Sequence, residues 1–393
     1  MQRITLKDIV KFFLPYGIWW GWKKWDWKKY EQAVRYFFNN KLSEKYINGI
    51  DAPENCVLLI EITGEHGETL PGLAKYALDL AYRVDVVMAV SANRGKSALS
   101  RNEVGVFSRF KSDRLRLFTL PSQYVPHFLR RKANKYRHII INTYRDWMLE
   151  SINLFELRPV CLLHTEYTFK NEYGYTNKII TLVNMDCFGR KQPTVVNGHY
   201  FGDFISHEKS DIICFAAFGI TYTQGNGSRV RDVNLIIKIC EYLKNKNIKN
   251  YKIKIIGDND FIVPNEYKDK IQSLGFLSFP EMYEVIEKSD FILALISPAS
   301  VEYTNQASGT YQLSYGFLKP VLIHKKFAEI GKFTEKNSII YDDIYPAMEK
   351  AIGISAKDYS AMVEHLEITA QSIYKNSLNN LKYVLEADIQ LSK

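Results

Sequence analysis

The chain has 393 residues, 46% of them hydrophobic, and a net charge of +9. That length suggests two or three domains with sizeable cores, and the positive balance favours anionic partners: phosphates, nucleic acid or an acidic membrane surface. Five scattered cysteines with no C-x-x-C pair argue against a disulfide framework or a zinc site, and no apolar run approaches the ~20 residues of a membrane span. The reading favours a reducing compartment. A secretory signal is not expected either, because the N-terminal apolar stretch is dense in aromatics and lacks a small-residue cleavage site.

Five of the six tryptophans fall between Trp19 and Trp27, interleaved with Lys23, Lys24, Lys28 and Lys29. After Pro15 and Gly17, the residues Trp22, Trp25, Tyr30, Ala33, Val34, Phe37 and Phe38 fall near one helical face. Two readings stay open. The stripe packs on the protein's own core, or residues 12–38 lie on an anionic membrane surface, where Trp and Lys suit the headgroup region. No recognition module for RNA or DNA is visible, so no specific nucleic-acid partner is expected.

The first α/β unit follows. Val57–Ile62 reads as a strand, Thr63–Gly72 as a polar loop, Leu73–Ala81 as a helix and Val84–Val90 as the next strand. This is the right-handed βαβ unit of a parallel sheet. Further strands are expected at Leu115–Leu120, His138–Asn142, Val160–His164, Ile179–Val183 and Thr194–Asn197. Between Arg94 and Arg137 a run of Lys and Arg meets only Glu103 and Asp113. It reads either as a solvated face or as part of a membrane or acceptor surface.

A boundary falls near residues 199–211, and a second α/β pattern begins. Its strands are Asp211–Phe218, Lys252–Gly257, Ile271–Phe276, Asp290–Ile296 and Val321–Ile323, with helices at Val230–Leu243 and Pro280–Lys288. Residues 356–390 read as a terminal helix pair. The expected division is an aromatic and basic segment at 1–50, Rossmann-like domains at 51–205 and 206–355, and C-terminal helices at 356–393. The fold class is therefore α/β, with two Rossmann-like domains.

The most informative stretch is the loop around Ser308-Gly309-Thr310. It follows the buried strand Asp290–Ile296 and opens a short helix. Free backbone N–H groups, two hydroxyls and the helix dipole would converge there, which suits a phosphate. The same residues also make an ordinary helix cap.

At this point the second half resembles the donor-binding domain of GT-B glycosyltransferases, of the bacterial surface-polysaccharide type and similar to family 4. The resemblance rests on Phe218-Gly219, Arg229 and Arg231, Leu274-Gly275-Phe276, the run Met282–Phe291, Ser308-Gly309-Thr310 and Gly316–Pro320. It covers roughly residues 211–345 and extends more weakly into the first half. It implies two domains facing across a cleft. A nucleotide-sugar donor would be held by the second domain and a glycan or lipid-linked acceptor by the first. Gly219, Arg229, Arg231, Ser308, Gly309 and Thr310 would hold the diphosphate. A C-terminal helix crossing back to the first domain is also implied, as is a cytoplasmic site of action at the inner membrane.

The retaining branch of that family carries two glutamates separated by seven residues. Glu302 matches the first, but the second falls on Thr310, or near Gln312 and Leu313, and none of these is acidic. Stereochemistry therefore stays open. No Asp-x-Asp metal motif is expected, because Asp258-Asn259-Asp260 reads as a turn, and so no metal or other cofactor is assigned. For a catalytic base the candidates are Glu65, His66 and Glu68, on the loop after the first strand. His164 and Glu166, after another apolar strand, are assigned to acceptor binding. A nucleotide-sugar epimerase of the same architecture is the nearest alternative enzyme. A non-catalytic membrane- or nucleic-acid-binding protein is the alternative from another class.

Overall fold

The computed structural model describes residues 44–387 except 45–46, 64–65, 91–102, 146–153, 166–175, 177, 186–192, 206, 219–230, 232–234, 258–260, 301–302 and 304–305. The chain divides into two units, Met1–Ile50 and Asp51–Lys393. In the first, the described residues close a helical turn through a bond from Asn48 N to Glu44 O of 2.9 Å. The aromatic segment 12–38 lies outside the described residues.

The second unit is built on two parallel sheets. The first contains β1 (Cys56–Glu61), β2 (Arg83–Val90), β3 (Leu115–Pro121), β4 (His138–Ile141), β5 (Val160–Leu163), β6 (Ile179–Thr181) and β7 (Thr194–Val195), in the order β3-β2-β1-β4-β5-β6-β7. The second contains β8 (Ile213–Phe218), β9 (Tyr251–Ile256), β10 (Ile271–Gly275), β11 (Phe291–Leu293), β12 (Val321–His324) and β13 (Ile339–Tyr341), in the order β10-β9-β8-β11-β12-β13. The apolar runs read from the sequence become central strands buried on both faces: every residue of β1, β5 and β11 is buried. Strand order reverses between β1 and β4 and again between β8 and β11, so each sheet has a crevice at its strands' carboxyl ends.

The helices that position these crevices are α1 (Leu70–Asp79), α2 (Val125–Lys132), α3 (Leu235–Asn245), α4 (Phe279–Glu287), α5 (Gly309–Phe317), α6 (Ile344–Gly353) and α7 (Ala356–Glu386). The residues expected as a terminal helix pair form one helix, α7, of 31 residues. No glycine or proline falls within it, so nothing in the backbone ends the first half. The helix α7 packs along the first domain. His199 Nε2 donates to Ala370 O at 3.0 Å, Asn197 N to Ser377 Oγ at 3.0 Å, and the buried Lys178 ammonium to the carbonyls of Val384 and Leu385 at 2.7 and 2.9 Å.

The two sheets' domains also meet directly. A Cβ at Gly316 of α5 would sit 2.3 Å from His199 O and from the Phe201 ring, so only glycine allows this approach. Arg109 pairs with Glu287 at 2.9 Å and lies 4.5 Å over the Phe317 ring. Arg116 pairs with the buried Asp85 at 2.6 Å, and Lys132 with Asp51 at 2.7 Å. Three residues of the basic run, Arg109, Arg116 and Lys132, are therefore held in ion pairs. The four described cysteines are buried and unbridged. Among the described residues no helix is long and apolar enough to cross a membrane.

Candidate functional site

The first crevice is built around a buried carboxyl group. Glu61 ends β1 and is 2% exposed. Its Oε1 accepts from Thr63 N at 2.7 Å and Thr63 Oγ1 at 2.6 Å. Its Oε2 accepts from Asn142 Nδ2 at 2.6 Å and Thr143 Oγ1 at 2.7 Å, on the residues that follow β4. A carboxyl group at this depth is tolerated only with such a set of donors. The network pins the loop after β1 to the end of β4.

That loop carries His66. Its carbonyl accepts from Asn142 Nδ2 at 2.8 Å and lies 2.9 Å from Thr69 Oγ1, while Thr69 Oγ1 also reaches Asn142 Oδ1 at 2.6 Å. The short turn Gly67–Thr69 then leads into α1, where Pro71 sits in the first turn and sacrifices no helical bond. The His66 ring is aimed by two further contacts. Nδ1 lies 3.3 Å from Glu68 Oε1, and the ring stacks on His164 with centroids 3.8 Å apart and planes 10° from parallel. His164 Nε2 is 2.8 Å from Asn142 O, so this nitrogen carries the proton. Burial, then the neighbouring His66, hold His164 well below the usual imidazole range, so it stays neutral. Burial, and after it the charge of Glu68, hold the Tyr283 phenol of α4 well above its ordinary range.

The second crevice holds the opposite charge. Arg231 is 8% exposed and bridges to Ile296, just beyond β11. Its Nη1 donates to Ala294 O at 2.7 Å, and its Nη2 to Ser308 Oγ at 3.1 Å and Thr310 Oγ1 at 2.9 Å. The guanidinium carbon also lies 5.9 Å from the Tyr303 ring centre. Between Ala294 and Ile296 the backbone enters the left-handed region at Leu295, with φ of 49°. That conformation costs a non-glycine residue about 1–2 kcal/mol. Ser308 is the N-cap of α5, its Oγ accepting from Thr310 N at 3.3 Å. So the cap reading and the anion reading of this loop are compatible. Among the described residues, Arg231 meets only oxygens of neutral groups.

Gly309 separates the two hydroxyls. A Cβ placed there would meet nothing within 4 Å, and its φ is not in the left-handed region. Nothing in the fold demands glycine at this position, unlike Gly316.

The structure thus brings together His66, Glu68 and His164 in one crevice, and Arg231, Ser308 and Thr310 in the other. Glu65, Glu166, Gly219, Arg229 and Glu302 lie outside the described residues. Gln312, on α5, does not join the arginine cluster. It is 1% exposed and lines a cavity of about 730 Å³ between the two domains and α7. None of His66, His164, Arg231, Ser308 and Thr310 is on that cavity's wall. Among the described residues no group of three His, Cys, Asp or Glu is placed to hold a metal ion. Sequence reasoning missed Glu61, Thr69, Asn142 and Thr143. The available signal was a polar residue ending an otherwise apolar strand, as in Cys56–Glu61 and His138–Asn142.

No family model matches the chain, and no curated protein matches it in sequence. Solved structures do match. HepE from Anabaena, in complex with UDP and glucose, is 12% identical, with a TM-score of 0.51, covering 84% of this chain and 99% of its own. A glycosyltransferase from Rickettsia africae is 12% identical, with a TM-score of 0.50, covering 86% and 100%. AviGT4, a glycosyltransferase of avilamycin A biosynthesis, is 11% identical, with a TM-score of 0.51, covering 85% and 99%. Two parallel sheets with reversing strand order, matched by such enzymes over 84–86% of the chain, are the GT-B fold, and this chain has it.

Proposed function

We propose that the chain is a glycosyltransferase that moves a sugar from a nucleotide-diphosphate donor to a hydroxyl of a glycan or lipid-linked acceptor. The observation that carries this reading is the buried Arg231 guanidinium bonded to Ser308 and Thr310 at the start of α5. A cation, two hydroxyls and the positive end of the α5 dipole would converge where negative charge develops on the leaving diphosphate. Stabilising that charge is usually the largest catalytic term. In this reading the arginine supplies the neutralising charge, and no metal is needed. HepE, which shares the fold, binds UDP and glucose.

His66 is the proposed base. A proton held on Nδ1 by Glu68 leaves Nε2 basic, and Nε2 would take the acceptor's proton in an inverting reaction. In a retaining reaction the same residue would only position the acceptor. His164 contributes as a neutral platform beneath it.

The setting we propose is surface-polysaccharide synthesis at the cytoplasmic face of a bacterial membrane. It is supported by the net charge of +9 and by the Trp/Lys segment 12–38. Replacing Lys23, Lys24, Lys28 and Lys29 by Gln should abolish cosedimentation with anionic liposomes. Unchanged sedimentation would remove the membrane setting.

Thermal unfolding against UDP, GDP, dTDP, CMP and ADP, with EDTA present, tests the donor site. One nucleotide at a hundredfold its dissociation constant should add about 2.7 kcal/mol of stability. The gain should vanish in Ser308→Ala/Thr310→Ala. No gain with any nucleotide would defeat the transferase reading.

A further inference from the structure

The fold sorts the basic run between Arg94 and Arg137. Arg109 turns inward to Glu287, but the members from Arg114 onward gather at the amino ends of the first sheet's strands. In a parallel sheet that end lies opposite the crevice, here the one that holds His66. Register places Cys56 beside Arg83, Val84 beside Leu115 and Val57 beside His138. Arg114, Arg83, Cys56 and Arg137 therefore form one row across β3, β2, β1 and β4. The backbone agrees: Val84 N donates to Arg114 O at 2.8 Å, and Arg137 N to Cys56 O at 2.8 Å.

The row is about 14 Å wide at the usual strand spacing. Arg83 and Arg137 are exposed, and Lys132 and Lys135 join the same end from the last residue of α2 and the turn after it. The acids here are Asp51, Glu54, Asp113 and the buried Asp85. Asp85 is taken by Arg116, and Asp51 by Lys132 and Lys135. Arg83 and Arg137 make no ion pair among the described residues. Like charges side by side, as at Arg83 and Arg114, are unfavourable unless an anion lies against them.

A row this wide suits an extended anionic surface better than a single phosphate. Chain continuity says which surface. Asp51, the first residue of this unit, is bound at the same end: its carbonyl accepts from Arg116 Nη2 at 2.7 Å and its carboxylate from Lys132 Nζ at 2.7 Å. Phe38, which ends the Trp/Lys segment, precedes Asp51 by 13 positions. The segment is thus tethered to the basic end by a stretch of chain that spans at most about 45 Å.

We propose that the basic amino end of the first sheet docks on an anionic bilayer, so that the strands stand on the membrane and the His66 crevice opens toward water. The proposal rests on the membrane setting given above and adds a face and an orientation to it. The six residues of β1 hold the crevice about 20 Å from the docked end. An acceptor hydroxyl therefore arrives from the water side, on a soluble glycan or at the far end of a lipid-linked one.

The test uses the full chain and vesicles of phosphatidylcholine with or without phosphatidylglycerol. Each basic side chain near an anionic surface strengthens binding about fivefold. Arg83→Gln/Lys135→Gln/Arg137→Gln should therefore weaken cosedimentation with the anionic vesicles about tenfold or more. Orientation is read separately, by energy transfer to a headgroup-labelled lipid. One fluorophore is attached at Asn134→Cys, beside the row, and another at Asn184→Cys, beyond the carboxyl end of β6, both exposed positions. Cys187→Ser is the background, since the other four cysteines are buried. Transfer should be stronger from position 134. This readout changes no charge, so it decides the orientation even where the triple variant folds poorly. Wild-type strength of binding in a folded triple variant would overturn the proposal, as would equal or stronger transfer from position 184. If the Lys23, Lys24, Lys28 and Lys29 variant loses binding while the triple variant keeps it, the membrane setting stands and this docking face falls. No binding of the wild-type chain to anionic vesicles would remove both.

Discussion

The two sheets place opposite chemistry at equivalent points. Beside β1 and β4 the buried polar centre is the Glu61 carboxyl, surrounded by donors from Thr63, Asn142 and Thr143. Beside β8 and β11 it is the Arg231 guanidinium, surrounded by the oxygens of Ala294, Ser308 and Thr310. The same strand reversal makes both crevices. One side chain then decides whether the crevice is centred on a buried carboxyl group or on a buried guanidinium. A shared scaffold sets where ligands go, and the site residues set which ligands.

The sharpest way to break this division is to remove one side at a time. His66→Gln should lower kcat by about 10²–10⁴ if it is the base, while nucleotide affinity stays unchanged. A small effect on kcat would reduce His66 to positioning and favour a retaining reaction. Arg231→Met should lower kcat/KM by about 10²–10³ and weaken nucleotide binding. Arg231→Lys should restore little, because an ammonium cannot span Ala294, Ser308 and Thr310 as the planar fork does. Equal activity of the Lys variant would show that charge alone matters.

Stability separates the crevices further. Glu61→Gln introduces an amide among donors and should cost about 1–3 kcal/mol in chemical unfolding. An unchanged midpoint would mean that the network does not hold the His66 loop.

Acid should act through the imidazoles. Burial pushes His199 and His138 down to about 4, and His164 well below the usual 6.5. Below about pH 6.5 the unfolded chain takes up protons that the folded chain refuses, so stability should fall as pH drops from about 6.5 toward 4. The slope should be shallower in His164→Asn; stability rising over that range would contradict the assignment. The smallest expected effect on the fold is Gly309→Ala. A methyl there meets nothing within 4 Å, so the unfolding midpoint should hold while nucleotide binding weakens. Unimpaired binding would move the ligand away from α5.

Much of the scaffold was legible because buried parallel strands are nearly continuous apolar runs. Residues 57–62, 211–218 and 290–296 announced their sheets, although β8 begins at Ile213 and β11 is only Phe291–Leu293, cut short before Leu295 takes a positive φ. The Ser308 loop was legible because caps and anion sites use the same residue types. The His66–His164 stack was not. Those rings are 98 positions apart, and only the order β1-β4-β5 brings them together. The Glu61 network was obscured for a similar reason, since its donors come from both β1 and the end of β4. The continuity of α7 was misjudged: residues 356–390 read as a helix pair, whereas Ala356–Glu386 forms one helix with no glycine or proline to interrupt it.

The central claim is that anion binding belongs to the second crevice and proton handling to the first. Calorimetric titration of a nucleoside diphosphate, in EDTA, into wild-type, His66→Gln and Ser308→Ala/Thr310→Ala chains tests it most directly. The account predicts tight binding to the first two and none to the third, with all three folded by unfolding midpoint. Binding lost in His66→Gln but retained in the double variant would contradict it.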